Sequence, residues 1–138
     1  MGTSNLKVTG INHVVLHVSD VERSVKFYME VLGFESRNIS VGSERKMSFL
    51  RCGTQGLDLF EVAADVHGGQ EMNHMALNVE ADDIDEVEEE LAKAGVEASK
   101  RTPRNSVFIH DPDGHRIEIL PRSAQERARE REAARASA

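Results

Sequence analysis

Cysteine occurs once in the 138 residues, at Cys52, so no intrachain disulfide can form. No apolar run approaches the ~20 residues that a membrane-spanning helix needs, and a membrane partner is not expected. Residues Met1 to Gly10 lack the apolar stretch of a secretory signal, which makes a cytoplasmic location the expectation. An excess of positive charge is also missing: the net charge is −7. A general nucleic-acid binder needs a basic face to neutralise phosphates, so nucleic acid is not an expected partner. The arginine-rich tail, Arg122 to Ala138, has no large apolar residue. It is expected to be a solvated helix or a disordered end with nothing of its own to pack.

What the chain does have is an internal repeat. Ile11-Asn12-His13-Val14-Val15-Leu16-His17-Val18 resembles Met72-Asn73-His74-Met75-Ala76-Leu77-Asn78-Val79, at an offset of 61 residues. Leu32-Gly33-Phe34 then matches Ala94-Gly95-Val96, and Leu57-Asp58-Leu59-Phe60 matches Ile117-Glu118-Ile119-Leu120. Three matches in order at nearly one spacing predict a duplicated supersecondary unit.

Each half opens on an alternating strand, Asn12 to Val18 and Asn73 to Val79. A helix follows. Asp20 can cap the first, and Val21, Val25, Tyr28 and Leu32 form its apolar face. Asp82 or Asp83 can cap the second, with Ile84, Val87, Leu91 and Ala94 as its stripe. Gly33 and Gly95 suit the left-handed conformation that ends a helix. Further strands are expected at Arg45 to Arg51, Leu57 to Val62, Ser106 to His110 and His115 to Leu120. Asp111-Pro112-Asp113-Gly114 reads as the hairpin turn joining the last two. The predicted fold is α+β: two tandem β-α-β-β-β modules forming a half-open, barrel-like sheet around a cleft. The expected organisation is one domain over 1–121, with module 1 at about 8–62, a linker at 63–71 holding His67, and module 2 at about 72–121. Residues 122–138 form the tail.

The repeat also aligns chemistry. His13 and His74 occupy one position; Asp58 and Glu118 occupy another. Singly, a strand histidine is commonly a half-exposed surface residue, and an outward carboxylate is commonly just solvated. As two repeat-related pairs of one imidazole and one carboxylate, they point to a divalent ion such as Zn, Ni, Co, Mn or Fe. Strand alternation turns Asp58 away from Leu57 and Leu59, and Glu118 away from Ile117 and Ile119. The apolar neighbours would pack under the helix and the carboxylates would face the cleft. Glu61 has the opposite parity and ranks below Asp58.

These stretches, together with Phe27-Tyr28-Met29-Glu30-Val31-Leu32-Gly33-Phe34 and Asp111-Pro112-Asp113-Gly114-His115-Arg116-Ile117-Glu118-Ile119, resemble the vicinal oxygen chelate superfamily: glyoxalase I, bleomycin-resistance proteins and type I extradiol dioxygenases. The resemblance covers residues 10 to 121. It implies a divalent metal that chelates a small substrate through adjacent oxygens in lyase, isomerase, epimerase or dioxygenase chemistry. It also implies a homodimer, with the two halves of one site drawn from different chains in many members. Carried over by position, the ligands are His13, His74 and Glu118, with Asp58 at a fourth position that usually holds glutamate in glyoxalase-type members; Asp58, Glu61 or water remain open there.

Glyoxalase I-like members often carry an arginine four residues after the first ligand histidine, where it holds a glutathione carboxylate. Here that residue is His17, which shares the parity of His13 and is a candidate acid, base or substrate-orienting group. His13, His74 and Glu118 also match the two-histidine, one-glutamate set of fosfomycin-modifying thiol transferases, which is one alternative. A drug-binding resistance protein without chemistry is the other.

Overall fold

The computed structural model describes residues 5, 11–41, 45–63, 65–66 and 72–137. Two four-stranded sheets repeat one topology. The first holds β1 (His13–Val18), β2 (Glu35–Val41), β3 (Lys46–Cys52) and β4 (Gln55–Glu61) in the order β1-β4-β3-β2. The second holds β5 (Met75–Asn78), β6 (Ser99–Arg101), β7 (Ser106–His110) and β8 (Arg116–Leu120) in the order β5-β8-β7-β6. In each, the opening strand runs parallel to the last, and the other pairings are antiparallel. The parallel pair requires a crossover, and a helix supplies it: α1 (Val21–Glu30) and α2 (Ile84–Lys93). The α+β fold of two β-α-β-β-β units is the architecture that the repeat predicts.

The helices begin and end as their caps dictate. Asp20 accepts a hydrogen bond from the Arg23 N–H, and Asp83 accepts one from Glu86. Gly33 and Gly95, at φ of 72° and 74°, follow the helices in the left-handed region. Val21, Val25 and Tyr28 bury the inner face of α1, as Val87 and Leu91 do for α2, while Ala94 is exposed. Beneath them lie Leu16, Val18, Leu57 and Leu59 in the first sheet and Val107, Ile109, Ile117 and Ile119 in the second. These strand residues alternate with His13, Val15 and His17 on β1, Asp58 on β4 and Glu118 on β8, which therefore face away from the helices. Fully burying each such aliphatic side chain contributes roughly 1.5–3 kcal/mol, and one residue of register slip would reverse the faces.

Two features go beyond the expectations. The β-α-β-β-β pattern calls for one more strand in each half than the sequence assigns to residues, and β2 and β6 supply it. The tail forms α3 (Arg122–Ala136), and its first turn does pack: Ala124 is buried and the Gln125 amide donates to the carbonyls of Val79 and Leu120. Small size lets Ala124 fit where no large apolar side chain is available. Residues 64 and 67–71 of the expected linker, His67 among them, lie outside the described residues. Among the described residues no helix is long and apolar enough to cross a membrane.

The halves are tied together by the tip of the β7–β8 hairpin. Tyr28 of α1 donates its hydroxyl to Asp111, and Asp113 accepts from Ser19 and Arg23 near the start of α1. The Asp-Pro-Asp-Gly segment is thus a turn and also an anchor.

Candidate metal centre

Each half brings its histidine to its carboxylate. His13 Nε2 stands 3.7 Å from Asp58 Oδ2, and His74 Nε2 stands 3.2 Å from Glu118 Oε2. The strand registers account for this. Asp58 lies between Val15 of β1 and Phe49 of β3. Glu118 lies between Ala76 of β5 and Phe108 of β7. Each histidine sits at the mouth of the parallel pair, His13 opening β1 and His74 preceding β5 by one residue. Phe49 and Phe108 are therefore repeat-equivalent aromatic walls, which the sequence comparison did not single out.

The donor set fits a divalent ion. Two ligands each about 2.1 Å from a shared cation stand roughly 3.0–3.4 Å apart; the second pair meets that spacing at 3.2 Å and the first, at 3.7 Å, is slightly wider. The carboxylates are largely shielded, with Asp58 15% and Glu118 14% exposed, so a positive partner offsets the cost of their burial. In both halves an asparagine oxygen, of Asn12 and of Asn73, lies within 2.8 Å of Nδ1 and leaves Nε2 turned to the carboxylate.

Within one chain the two pairs stay separate. Among the described residues, the one group of three acids or histidines within ligating distance of one another is Asp20, Glu22 and Glu61. That group is accounted for by local structure: Asp20 caps α1, Lys46 neutralises Glu22, and Glu61 accepts the Val21 N–H. Glu61 is thereby held at the start of α1, away from the face that carries Asp58, as its parity predicted. His17 lies exposed on the His13 face, beside Phe60 of β4.

The first pair and, in the second, Glu118 border hollows. Asn12, His13, Phe49, Arg51, Gly56 and Asp58 line one of about 150 Å³. An open cavity of about 850 Å³ lies between the second sheet and α3, where Glu118 shares the wall with Arg104, Arg127 and Arg131. Those arginines escaped the sequence reading because two of them belong to a tail with no apolar periodicity. Gly56 escaped as well: a Cβ there would lie 3.0 Å from the Cβ of His13. His110 ends β7 exposed, while His115 is buried and bound to Asp111.

Comparison with known proteins agrees with this fold. Residues 10–119 match the model of the Glyoxalase/Bleomycin resistance protein/Dioxygenase superfamily. The chain is 26% identical over 129 residues to the fosfomycin resistance protein FosX of Listeria monocytogenes, covering 87% of this chain and 95% of that one. It is 31% identical over 114 residues to the glutathione transferase FosA of Serratia marcescens, covering 79% and 78%. The trypanothione-dependent glyoxalase I of Leishmania major superposes with a TM-score of 0.76 at 24% identity, covering 95% and 100%, a likeness of fold.

Proposed function

We propose that this chain, which belongs to the glyoxalase/bleomycin resistance protein/dioxygenase superfamily, is a divalent-metal-dependent enzyme acting on a small anionic substrate, with phosphonates of the fosfomycin type as the first candidates. The observation that carries the reading is the cavity in which three arginines, Arg104, Arg127 and Arg131, outnumber the two carboxylates of the wall, Glu118 and Glu130. Arginine presents a planar fork of donors that matches phosphonate and carboxylate oxygens. The similarity to FosX and FosA supports the same direction.

His13, His74 and Glu118 would hold the ion, with Asp58 or water at the fourth position. When bound, the ion supplies Lewis-acid polarisation and a template for substrate oxygens. The arginines would hold the anionic end of the substrate, and His17 would orient it or exchange a proton with it. One chain offers only separate pairs, whereas a catalytic site of this kind takes three protein ligands. We therefore place the first-half pair of one chain against the second-half pair of a second copy, in a two-fold homodimer. Residues 1–121 then act as one domain, and the helical tail supplies part of the cavity wall.

The test is phosphorus NMR of fosfomycin incubated with the Mn²⁺-supplemented protein, with and without a thiol such as glutathione, alongside a hemithioacetal isomerisation assay. Metal-dependent consumption of fosfomycin that Arg127→Ala weakens through KM supports the proposal. An unchanged phosphorus spectrum sinks the substrate assignment. Absence of any bound metal would return the chain to the drug-binding class.

A further inference from the structure

The repeat places different residues beside the two histidines. In the first half, His13 pairs across the ladder with Gly56. In the second half, the register that pairs Met75 with Ile117 sets His74 beside Arg116. Arg116 Nη1 donates to Asn73 Oδ1 at 3.4 Å, and its guanidinium lies 4.8 Å over the ring of Phe108. Phe108 in turn meets the His74 ring edge-on, with centroids 5.4 Å apart. His74 is bracketed on two sides, and its side chain is 34% exposed against 49% for His13.

The bracket settles a question of proton placement. Arginine can only donate, so the Asn73 atom turned toward Arg116 is the carbonyl oxygen and not the amide nitrogen. His74 Nδ1 lies 2.7 Å from that same oxygen, so it must carry the hydrogen. With a cation bound, Nε2 is then left with its lone pair for the ion; without one, Nε2 faces the Glu118 carboxylate at 3.2 Å and donates to it. We propose that Asn73, held by Arg116, is a positioning residue that fixes the tautomer and ring angle of His74. Asn12 stands beside His13 Nδ1 at 2.8 Å in the same way, but no arginine orients its amide.

This inference rests on the proposed role of His74 as a ligand. The experiment has two readouts on the full chain. Long-range nitrogen–proton NMR of the Zn²⁺-loaded protein reports which nitrogen of His74 carries the hydrogen, and calorimetry reports Mn²⁺ affinity. Asn73 is exposed, so its substitution leaves the core intact. Asn73→Leu is expected to abolish the preference for Nδ1–H and to weaken Mn²⁺ binding about 10- to 100-fold. Asn73→Asp, which keeps the acceptor oxygen, restores both; Arg116→Met falls between. Equal Mn²⁺ affinity and an unchanged tautomer in Asn73→Leu would overturn the positioning role alone. A native protein that binds no Mn²⁺ overturns the ligand assignment as well.

Discussion

Tyr28 donates its phenolic hydrogen to Oδ2 of Asp111 across 2.8 Å, between residues 83 positions apart. The tyrosine belongs to the helix of the first half and the aspartate to the hairpin of the second. Burial first, and then the neighbouring Asp111 charge, hold the hydroxyl far above its ordinary pKa, so it remains a donor at every accessible pH. The same carboxylate accepts from the backbone N–H groups of Asp113 and His115 and from the His115 ring.

Removing that hydroxyl tests how firmly the halves are joined. Tyr28→Phe keeps the ring contacts with Phe27 and Phe34, each at 5.4 Å, and deletes only the donor. The expected loss is about 1–2 kcal/mol, because Asp111 keeps its other partners. Chemical denaturation would measure it, and a loss below about 0.3 kcal/mol would show that the latch is slack.

The His115–Asp111 pair predicts a pH window for stability. Burial pushes Asp111 upward, but the His115 and Tyr28 hydrogen bonds and the His115 charge outweigh it and hold the carboxyl below its ordinary 3.8. The Asp111 hydrogen bond, opposed by burial, raises His115 above its ordinary 6.5. A raised histidine stabilises fully below 6.5 and loses that contribution as pH rises through its folded value. A lowered carboxyl stabilises above 3.8 and loses that contribution as pH falls through its folded value. The pair therefore contributes most between pH 4 and 6.5. Melting temperature followed across pH 6 to 9 should decline in the native chain more steeply than in His115→Gln; parallel curves would refute the pairing.

Gly56 offers a test of the first half. Its backbone N–H donates to the Asn12 carbonyl, and an added Cβ would crowd His13 at 3.0 Å. Gly56→Ala should displace His13 and weaken Mn²⁺ binding several-fold while the melting temperature changes little. Retained affinity both in that variant and in His13→Ala would remove His13 from the ligand set.

Complementation tests the sharing of sites between chains. Glu118→Ala and His13→Ala should each be inactive alone. In the mixed dimer, one site combines His13 of the first variant with His74 and Glu118 of the second, so it is intact. Co-refolded mixtures should recover metal binding at one site per heterodimer. No recovery, with heterodimers shown to form, would rule out the shared arrangement.

Much of the site was legible because duplication writes it twice. The alternation of Leu57-Asp58-Leu59 and Ile117-Glu118-Ile119 shows which face each carboxylate takes, and repeat spacing brings His13 to Asp58 and His74 to Glu118. The parity that separated Glu61 from Asp58 also held, and the structure adds that Glu61 serves the start of α1. The differences between the halves were harder to see. Gly56 and Arg116 occupy equivalent places, yet one makes room for a histidine and the other braces one. Self-similarity draws the eye to what matches and away from such divergence.

By itself, then, the sequence determined the duplicated unit, the helix cap at Asp20 and the choice between Asp82 and Asp83 for the second, the buried faces and the pairing of imidazole with carboxylate inside each half. These follow from side-chain periods of two and 3.6 residues, which are properties of neighbouring positions. Only the tertiary structure decided that Asp111 and Asp113 anchor the halves, that the tail walls the cavity beside Glu118, and that two ligand pairs in one chain stand apart. Those outcomes depend on how whole elements pack across the length of the chain, and no local pattern of charge or hydrophobicity encodes that geometry.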